Sequence, residues 1–313
     1  MSVKIFVDGS AGTTGLEIVE RLGGRPDVTL SLLPEAQRKD PAGRADALAD
    51  ADIAILCLPD DAAREAVRLA AGMATRFIDA STAHRIDPAW TYGFAELEPG
   101  RRAEIASARF VSNPGCYATG FLALIRPLIR ARLLGVQVPL TVNAVSGYSG
   151  GGKTMIAEFE TSDTDTAFRA YGLGLGHKHV PEMQCQGGLT HAPIFAPAVA
   201  RVYRGMIVEV PLHAVQLSAD ASLAHIHAAL ADAYAGSPLI RVVPLDETKA
   251  MAGLTIEQVG DTDRLELFVF ANEKTGHYRL AAAFDNLGKG ASGAAVQNLN
   301  LMAGLPETAG LRL

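Results

Sequence analysis

The chain is short of positive charge, has few cysteines, and lacks any long apolar run. Its 28 Lys and Arg are outnumbered by 34 Asp and Glu, which leaves a formal net charge of -6. A general nucleic-acid or membrane-surface binder needs a basic face, so this balance excludes both as the main role. No apolar stretch approaches the roughly 20 residues that span a bilayer, so no membrane partner is expected. The opening "MSVKIFVDGS" runs straight into a strand pattern and leaves no room for a secretion signal. The three cysteines, Cys57, Cys116 and Cys185, are odd in number and far apart. They read as thiols in a reducing, cytoplasmic compartment, not as a disulfide framework.

What is present fits an α/β protein. Apolar residues make up 49% and charged residues 20% of the 313 residues, enough chain for two domains. "VKIFVDG", "VTLSLLP", "ADIAILCLP" and "TRFIDAS" read as buried strands separated by helical stretches. Such alternation predicts a Rossmann-like, doubly wound parallel sheet. The character changes after about residue 118. "VPLTVNAVSGYSG", "IFAPAVARVYRGMIVEVPLHAV", "DRLELFVFANEK" and "HYRLAAAFDN" are longer strand-like runs, some alternating with period two, with "SLAHIHAALADAYAG" as a helix. This half is expected to be an α+β domain on a mixed or antiparallel sheet, and the tail from "GASGAAV" returns to helical spacing.

Three constellations carry chemistry. Gly9, Gly12 and Gly15 in "DGSAGTTG" follow the first strand and open a helix, with Ser10, Thr13 and Thr14 between them. Small residues there let the backbone approach a pyrophosphate, and the helix N-terminus offers N–H groups and a favourable dipole. The bland alternative is a tight β–α turn with no ligand. Arg38 and Lys39 follow the second strand where an isolated acid would favour a ribose hydroxyl, so a 2′-phosphate, and hence NADP, is preferred. In "SNPGCYATG", Asn113-Pro114-Gly115 is a turn and Cys116 stands at a helix start, where the dipole raises its thiolate fraction. Cys57 and Cys185 read instead as buried structural thiols. In "GHKHVPEMQ", Pro181 suits a first helical turn, and His177 and His179 lie in the extended approach to it, able to face one way. Either imidazole suits a general acid or base. The pair carries no accompanying metal-ligand spacing, so no metal is expected. His225 and His227 sit two apart on a helix, diverge, and read as solvated.

"GYSGGGKT", residues 147–154, satisfies the glycine-loop pattern of nucleoside triphosphatases. It lies mid-chain, behind a complete dinucleotide fold, and the acid for magnesium that "ADIAILCLPDD" offers, Asp60, lies before the loop and belongs to the first sheet. A triphosphatase is therefore not expected. Lys153 on a glycine loop could instead meet another phosphate, and a plain surface turn is the simpler alternative.

"DGSAGTTG", "FIDASTAHR", "YGFAELEPG", "SNPGCYATG", "AVSGYSGGGKT", "GHKHVPEM", "RVYRGM" and "DNLGKGASGAAVQNLNLM" occur in this order along essentially the whole chain. Together they closely resemble N-acetyl-γ-glutamyl-phosphate reductase of the shorter bacterial type, within the semialdehyde dehydrogenase superfamily. The resemblance implies NADPH-dependent reduction of an acyl phosphate to a semialdehyde in arginine biosynthesis. Cys116 would form a thioester, and a histidine of the pair would manage protons, with His179 favoured over His177 for its place nearer the helix N-terminus. Ser81 and Arg85 would hold the substrate phosphate or carboxylate, although the family commonly carries an acid where this chain has "TAH". Asn113 and Glu182 would contact substrate. Pro59, Asn286 and Lys289 would line the cofactor site with the first glycine turn. Between Ser146 and Lys153, Ser146, Gly147 and Lys153 would face substrate, and Gly150 and Gly151 cofactor. The implied domains are 1–117 with 288–313, which bind NADP, and 118–287, which carry the catalytic and oligomerisation sheet. A homodimer or homotetramer acting on a small-molecule substrate is expected. Rivals are a related reductase of aspartyl or carrier-bound aminoadipyl phosphate, a glycine-loop kinase, and a non-catalytic NADP sensor.

Overall fold

In the computed structural model, residues 2–161 and 165–313 are described. The chain divides into two units. One runs to Gly115 and takes back Ala291–Leu311, and the other comprises Cys116–Gly290 with Arg312–Leu313.

The first unit alternates strand and helix: β1 (Val3–Asp8), α1 (Thr13–Leu22), β2 (Val28–Ser31), α2 (Pro41–Asp50), β3 (Ile53–Leu56), α3 (Asp60–Leu69), β4 (Arg76–Asp79), β5 (Thr91–Tyr92), α4 (Arg101–Ser107) and β6 (Phe110–Ser112). The strands pair in the order β2-β1-β3-β4-β6-β5, every pair parallel. Both faces are covered, which explains the uninterrupted apolar runs. Ile5, Val7, Ile53, Ile55, Ile78 and Val111 pack to one side with Ile18 and Leu299. Phe6, Ala54, Leu56 and Phe77 pack to the other with Ala63, Ala66 and Trp90. The C-terminal helix (Gly293–Ala303) belongs to this unit and lies against α4 and α1. Helix α2 starts at Asp40, whose carboxylate accepts from the Gly43 N–H at 2.9 Å, with Pro41 in the first turn. β1 has β2 on one side and β3 on the other, so its C-terminal end is a switch point of the sheet, where dinucleotide folds bind their ligand.

The second unit contains α5 (Cys116–Arg130), β7 (Thr141–Gly147), α6 (Gly152–Thr161), β8 (Phe168–Ala170), α7 (Val180–Gly187), β9 (Ile194–Ala200), β10 (Met206–His213), α8 (Leu223–Ala233), β11 (Ile240–Val242), α9 (Leu245–Ala250), β12 (Leu265–Asn272) and β13 (His277–Phe284). Its sheet order is β11-β12-β13-β10-β7-β9-β8. β7–β9 and β11–β12 are parallel and the other pairs antiparallel, so the sheet is mixed. The single apolar run 194–215 of the sequence is two strands, broken by a turn through Gly205 at φ +110°.

Helix α5 is buried along most of its length and packs on β10 and β13. Pro127 inside it cannot donate to the Ala123 carbonyl one turn earlier. The Tyr234 hydroxyl, just past α8, donates to that carbonyl at 2.8 Å and restores the missing bond. No described helix is long and apolar enough to cross a membrane.

Candidate functional site

In the first unit the candidate residues gather at the C-terminal ends of the parallel strands. Gly9, Ser10 and Gly12 follow β1, Arg38 and Lys39 lie beyond β2, and Pro59 follows β3. Ser81 and Arg85 come after β4, and Asn113 after β6. The glycine turn is tight enough to require its glycines. Gly9 has φ +85°, and a Cβ there would sit 2.2 Å from the Cys57 carbonyl oxygen, while one on Gly15 would sit 2.4 Å from the Gly9 oxygen. Gly12 caps α1 without a side chain, so the first-turn amides of Thr13, Thr14 and Gly15 point outward with no helical acceptor. That is the cradle a pyrophosphate needs.

Arg38 and Lys39 are exposed, and Arg38 spends only its Nε, on the Leu33 carbonyl at 3.3 Å. Pro59 is exposed at the start of α3.

The segment after β4 is organised by Asp79, a residue the sequence reading did not single out. This fully buried carboxylate accepts from the Ser81 N–H at 2.9 Å, the Ser81 hydroxyl at 2.7 Å and His84 Nδ1 at 2.6 Å. The His84 ring stacks on Trp90 at 4.0 Å. Ser81 is therefore held within the loop. Arg85, also buried, donates to the Asn113 and Ala80 carbonyls, each at 3.0 Å. The Asn113 amide donates to the Ala291 carbonyl at 2.9 Å and accepts from Asn298 at 3.0 Å. These bonds hold the strand ends rigid.

The second unit brings His177 and His179 around one aromatic ring, that of Tyr117, the residue after Cys116. Cys116 opens α5 and is partly exposed. The next residue, Tyr117, has the His177 and His179 rings edge-on, each with its centroid at 5.8 Å, and the two imidazoles lie 4.8 Å apart. The His179 backbone N–H donates to His177 Nδ1 at 3.1 Å. That nitrogen is therefore an acceptor, and the ring proton is left on Nε2. Burial, with the Lys178 charge adding, pulls the His177 pKa down to about 4, so the ring is neutral at physiological pH. His179 is 5% exposed at the N-terminus of α7, and Glu182 in the first turn of that helix is buried.

The stretch 147–154 is a strand–turn–helix, but its first three amides are already used. The N–H groups of Gly147, Tyr148 and Ser149 donate to the carbonyls of Gly205, Val202 and Tyr203 at 2.8, 2.9 and 3.1 Å. A triphosphate loop needs those donors free to wrap its ligand. Gly150, Gly151 and Lys153 are exposed beyond them. Ser146 is buried, and its hydroxyl donates to the Gly147 carbonyl at 3.0 Å. Asn286, buried, ties this turn down: its amide donates to Ser149 Oγ at 2.9 Å and accepts from the Gly205 N–H at 2.9 Å. Lys289 is buried as well.

Of the other cysteines, Cys57, expected to be buried in a strand, lies just past β3 and is partly exposed, with desolvation pushing its thiol up to about 12 and the Asp79 and Asp8 carboxylates adding to the rise. Cys185, expected to be buried, is exposed on α7 because the apolar side of that short helix is carried by Met183 instead.

The family model of the semialdehyde dehydrogenase NAD binding domain matches residues 4–107, and that of the semialdehyde dehydrogenase dimerisation domain matches residues 116–286. N-acetyl-gamma-glutamyl-phosphate reductase of Brucella ovis is 53% identical over 309 residues, covering 97% of this chain and 100% of its own. The Brucella anthropi protein of the same name is 54% identical, covering 97% and 99%. Aspartate semialdehyde dehydrogenase II from Vibrio cholerae, in complex with ASA, superimposes with a TM-score of 0.73. At 16% identity over 96% of this chain and 98% of that one, it shares the fold.

Proposed function

The chain belongs to the N-acetyl-γ-glutamyl-phosphate reductase family, and on that premise we propose that Cys116 is its nucleophile and His179 its acid–base. The reaction is the NADPH-dependent reduction of N-acetyl-γ-glutamyl phosphate to N-acetylglutamate 5-semialdehyde, with release of inorganic phosphate, a step of arginine biosynthesis. The observation that supports the assignment is the clustering of His177 and His179 around Tyr117, the residue after Cys116, within one unit.

Cys116 reacts as its thiolate, favoured by the N-terminal end of α5. His179 accepts the thiol proton. Sulfur bonds to the γ-carbonyl carbon, the carbon–oxygen bond to phosphate breaks, and phosphate leaves with that electron pair. NADPH, when bound, supplies the hydride that reduces the resulting thioester. His179 returns its proton to the carbonyl oxygen of the thiohemiacetal and takes it back as the carbon–sulfur bond breaks, releasing aldehyde and thiolate. His177, neutral and with its proton on Nε2, donates a hydrogen bond to that oxygen and does not itself exchange protons.

The cofactor's pyrophosphate is assigned to the turn Gly9–Gly15, with its 2′-phosphate on Arg38 and Lys39. The tight packing of Gly9 and Gly15 and the outward first-turn amides of α1 favour that assignment. Pro59 is assigned to the cofactor's surroundings. Ser81, Arg85 and Asn113 in the first unit, and Ser146, Gly147, Lys153 and Glu182 in the second, are assigned to substrate binding. Gly150, Gly151, Asn286 and Lys289 are assigned to the cofactor, and Asn286 also anchors the 147–151 turn through Ser149 Oγ.

A second copy of the chain covers the groove lined by Val145, Phe168, Leu173, Leu175 and Ile207, where Leu173 is 82% exposed. The enzyme is assigned to the cytoplasm, in keeping with its three free thiols.

The test is phosphate-dependent reduction of NADP by N-acetylglutamate semialdehyde. Cys116→Ser is expected to abolish it, and full turnover by that variant would overturn the mechanism.

A further inference from the structure

We infer that Tyr117, anchored through its hydroxyl by Tyr171, is a positioning residue that fixes both imidazoles beside the nucleophile. The inference rests on the catalytic reading above. Residues 171–179, which carry the histidines, have no regular structure of their own between β8 and α7. Gly172, Gly174 and Gly176 leave this segment many backbone conformations, and Leu175 takes a left-handed φ of +60°. The backbone does little to hold it. Among the described residues, Tyr171 N–H bonds the Pro197 carbonyl at 3.0 Å, and the remaining main-chain bonds are local turns such as Leu175 to Gly172 at 2.8 Å.

Rings do the holding instead. His177 lies edge-on to Tyr117, to Phe195 at 5.1 Å and to Tyr171 at 5.9 Å, and His179 lies edge-on to Tyr117 at 5.8 Å. Tyr117 itself is 4% exposed and packs against Phe195 at 5.0 Å. Its hydroxyl donates to the Ala198 carbonyl at 3.2 Å and accepts from the Tyr171 hydroxyl at 2.9 Å. The phenol is thus tied to β9 and to the start of the histidine segment. Because Tyr117 adjoins Cys116 in α5, one side chain registers nucleophile, acid–base and oxygen donor together.

The test compares Tyr171→Phe and Tyr117→Phe with the unaltered enzyme. Each keeps its ring and loses a hydroxyl, and Tyr171, half-buried at the sheet edge, is the variant safer for folding. We expect kcat to fall about tenfold for Tyr171→Phe and further for Tyr117→Phe, with KM for the semialdehyde within twofold. The acid limb of the kcat–pH profile should shift in both. NADP affinity, read by fluorescence titration, should stay within twofold, because the glycine turn of the first unit is untouched. Unchanged kcat and an unchanged acid limb in Tyr171→Phe would overturn the inference. So would a loss of kcat matched by an equal loss of NADP affinity, since that marks general damage. If Cys116→Ser is inactive while Tyr171→Phe is normal, only this inference fails. If Cys116→Ser turns over fully, the catalytic reading fails first.

Discussion

Replacing Gly290 by alanine should injure catalysis by pressing directly on the nucleophile. A Cβ at that position would lie 3.0 Å from Cys116 Cβ, 3.1 Å from the Asp285 carbonyl oxygen and 3.3 Å from Phe284 Cε2. Carbon atoms rest at about 3.5–4.0 Å, so roughly half an ångström must open on the Cys116 side. Asp285 and Phe284 are buried at the end of β13 and cannot give way cheaply. Overpacking of this kind costs about 1–3 kcal/mol of stability. A misplacement of about 1 Å costs on the order of a hundredfold in rate, so half of that predicts about tenfold in kcat. The assay is steady-state NADP reduction with semialdehyde and phosphate, alongside urea unfolding. A Gly290→Ala enzyme with wild-type kcat and unchanged unfolding would refute the claim that Cys116 is tightly seated.

Three further outcomes follow from other parts of the molecule. Arg38→Ala and Lys39→Ala should each weaken NADP binding about tenfold or more while leaving NAD binding unchanged, as the loss of a charge-assisted bond of about 1.5–3 kcal/mol requires; dye-displacement or fluorescence titration would read it. His177 has its folded pKa depressed from 6.5 to about 4, so protons bind the unfolded chain first. Stability from this group is complete above about pH 6.5 and is lost as pH falls toward 4. His177→Gln should flatten that part of the unfolding free energy against pH, measured by urea titration. Tyr234→Phe should destabilise by about 1–3 kcal/mol, because the Ala123 carbonyl is left unsatisfied beside Pro127. Adding Pro127→Ala should recover part of that loss by restoring the helical donor, and a double-mutant cycle would show it.

The sequence was a good guide where local chemistry fixes the structure. The glycines after β1 read correctly as a tight turn because Gly9 must adopt φ +85° with no room for a Cβ. The parallel and mixed sheets were legible from uninterrupted and alternating apolar runs. Shorter elements were not: β5 is two residues, and α2 is rich in Ala and Asp with little apolar contrast. Their formation depends on the surrounding sheet and on the Asp40 cap. In the candidate site, Cys116 and the two histidines stood out by residue type and by their nearness to helix starts. Tyr117 and Tyr171 did not, because an aromatic residue on an apolar helix reads as ordinary core and one just past a short strand reads as ordinary loop. Their role rests on a contact between hydroxyls 54 residues apart in sequence. Asp79 was missed for the same reason: an acid ending a buried strand gains meaning only when Ser81 and His84 are seen to donate to it. "GYSGGGKT" shows the opposite case, a motif whose context argued against the chemistry its pattern suggests. Its pattern matches a phosphate loop, yet three successive amides are bonded to the 202–205 turn.

The central claim is that Cys116 carries the acyl group through the reaction. Incubating the enzyme with N-acetyl-γ-glutamyl phosphate in the absence of NADPH, then quenching in acid, should give a mass increase of one N-acetylglutamyl group. Peptide mapping should place it on the segment containing Cys116, and Cys116→Ser should show none. An adduct on another residue, or phosphate release by the Cys116→Ser enzyme at the wild-type rate, would contradict the account.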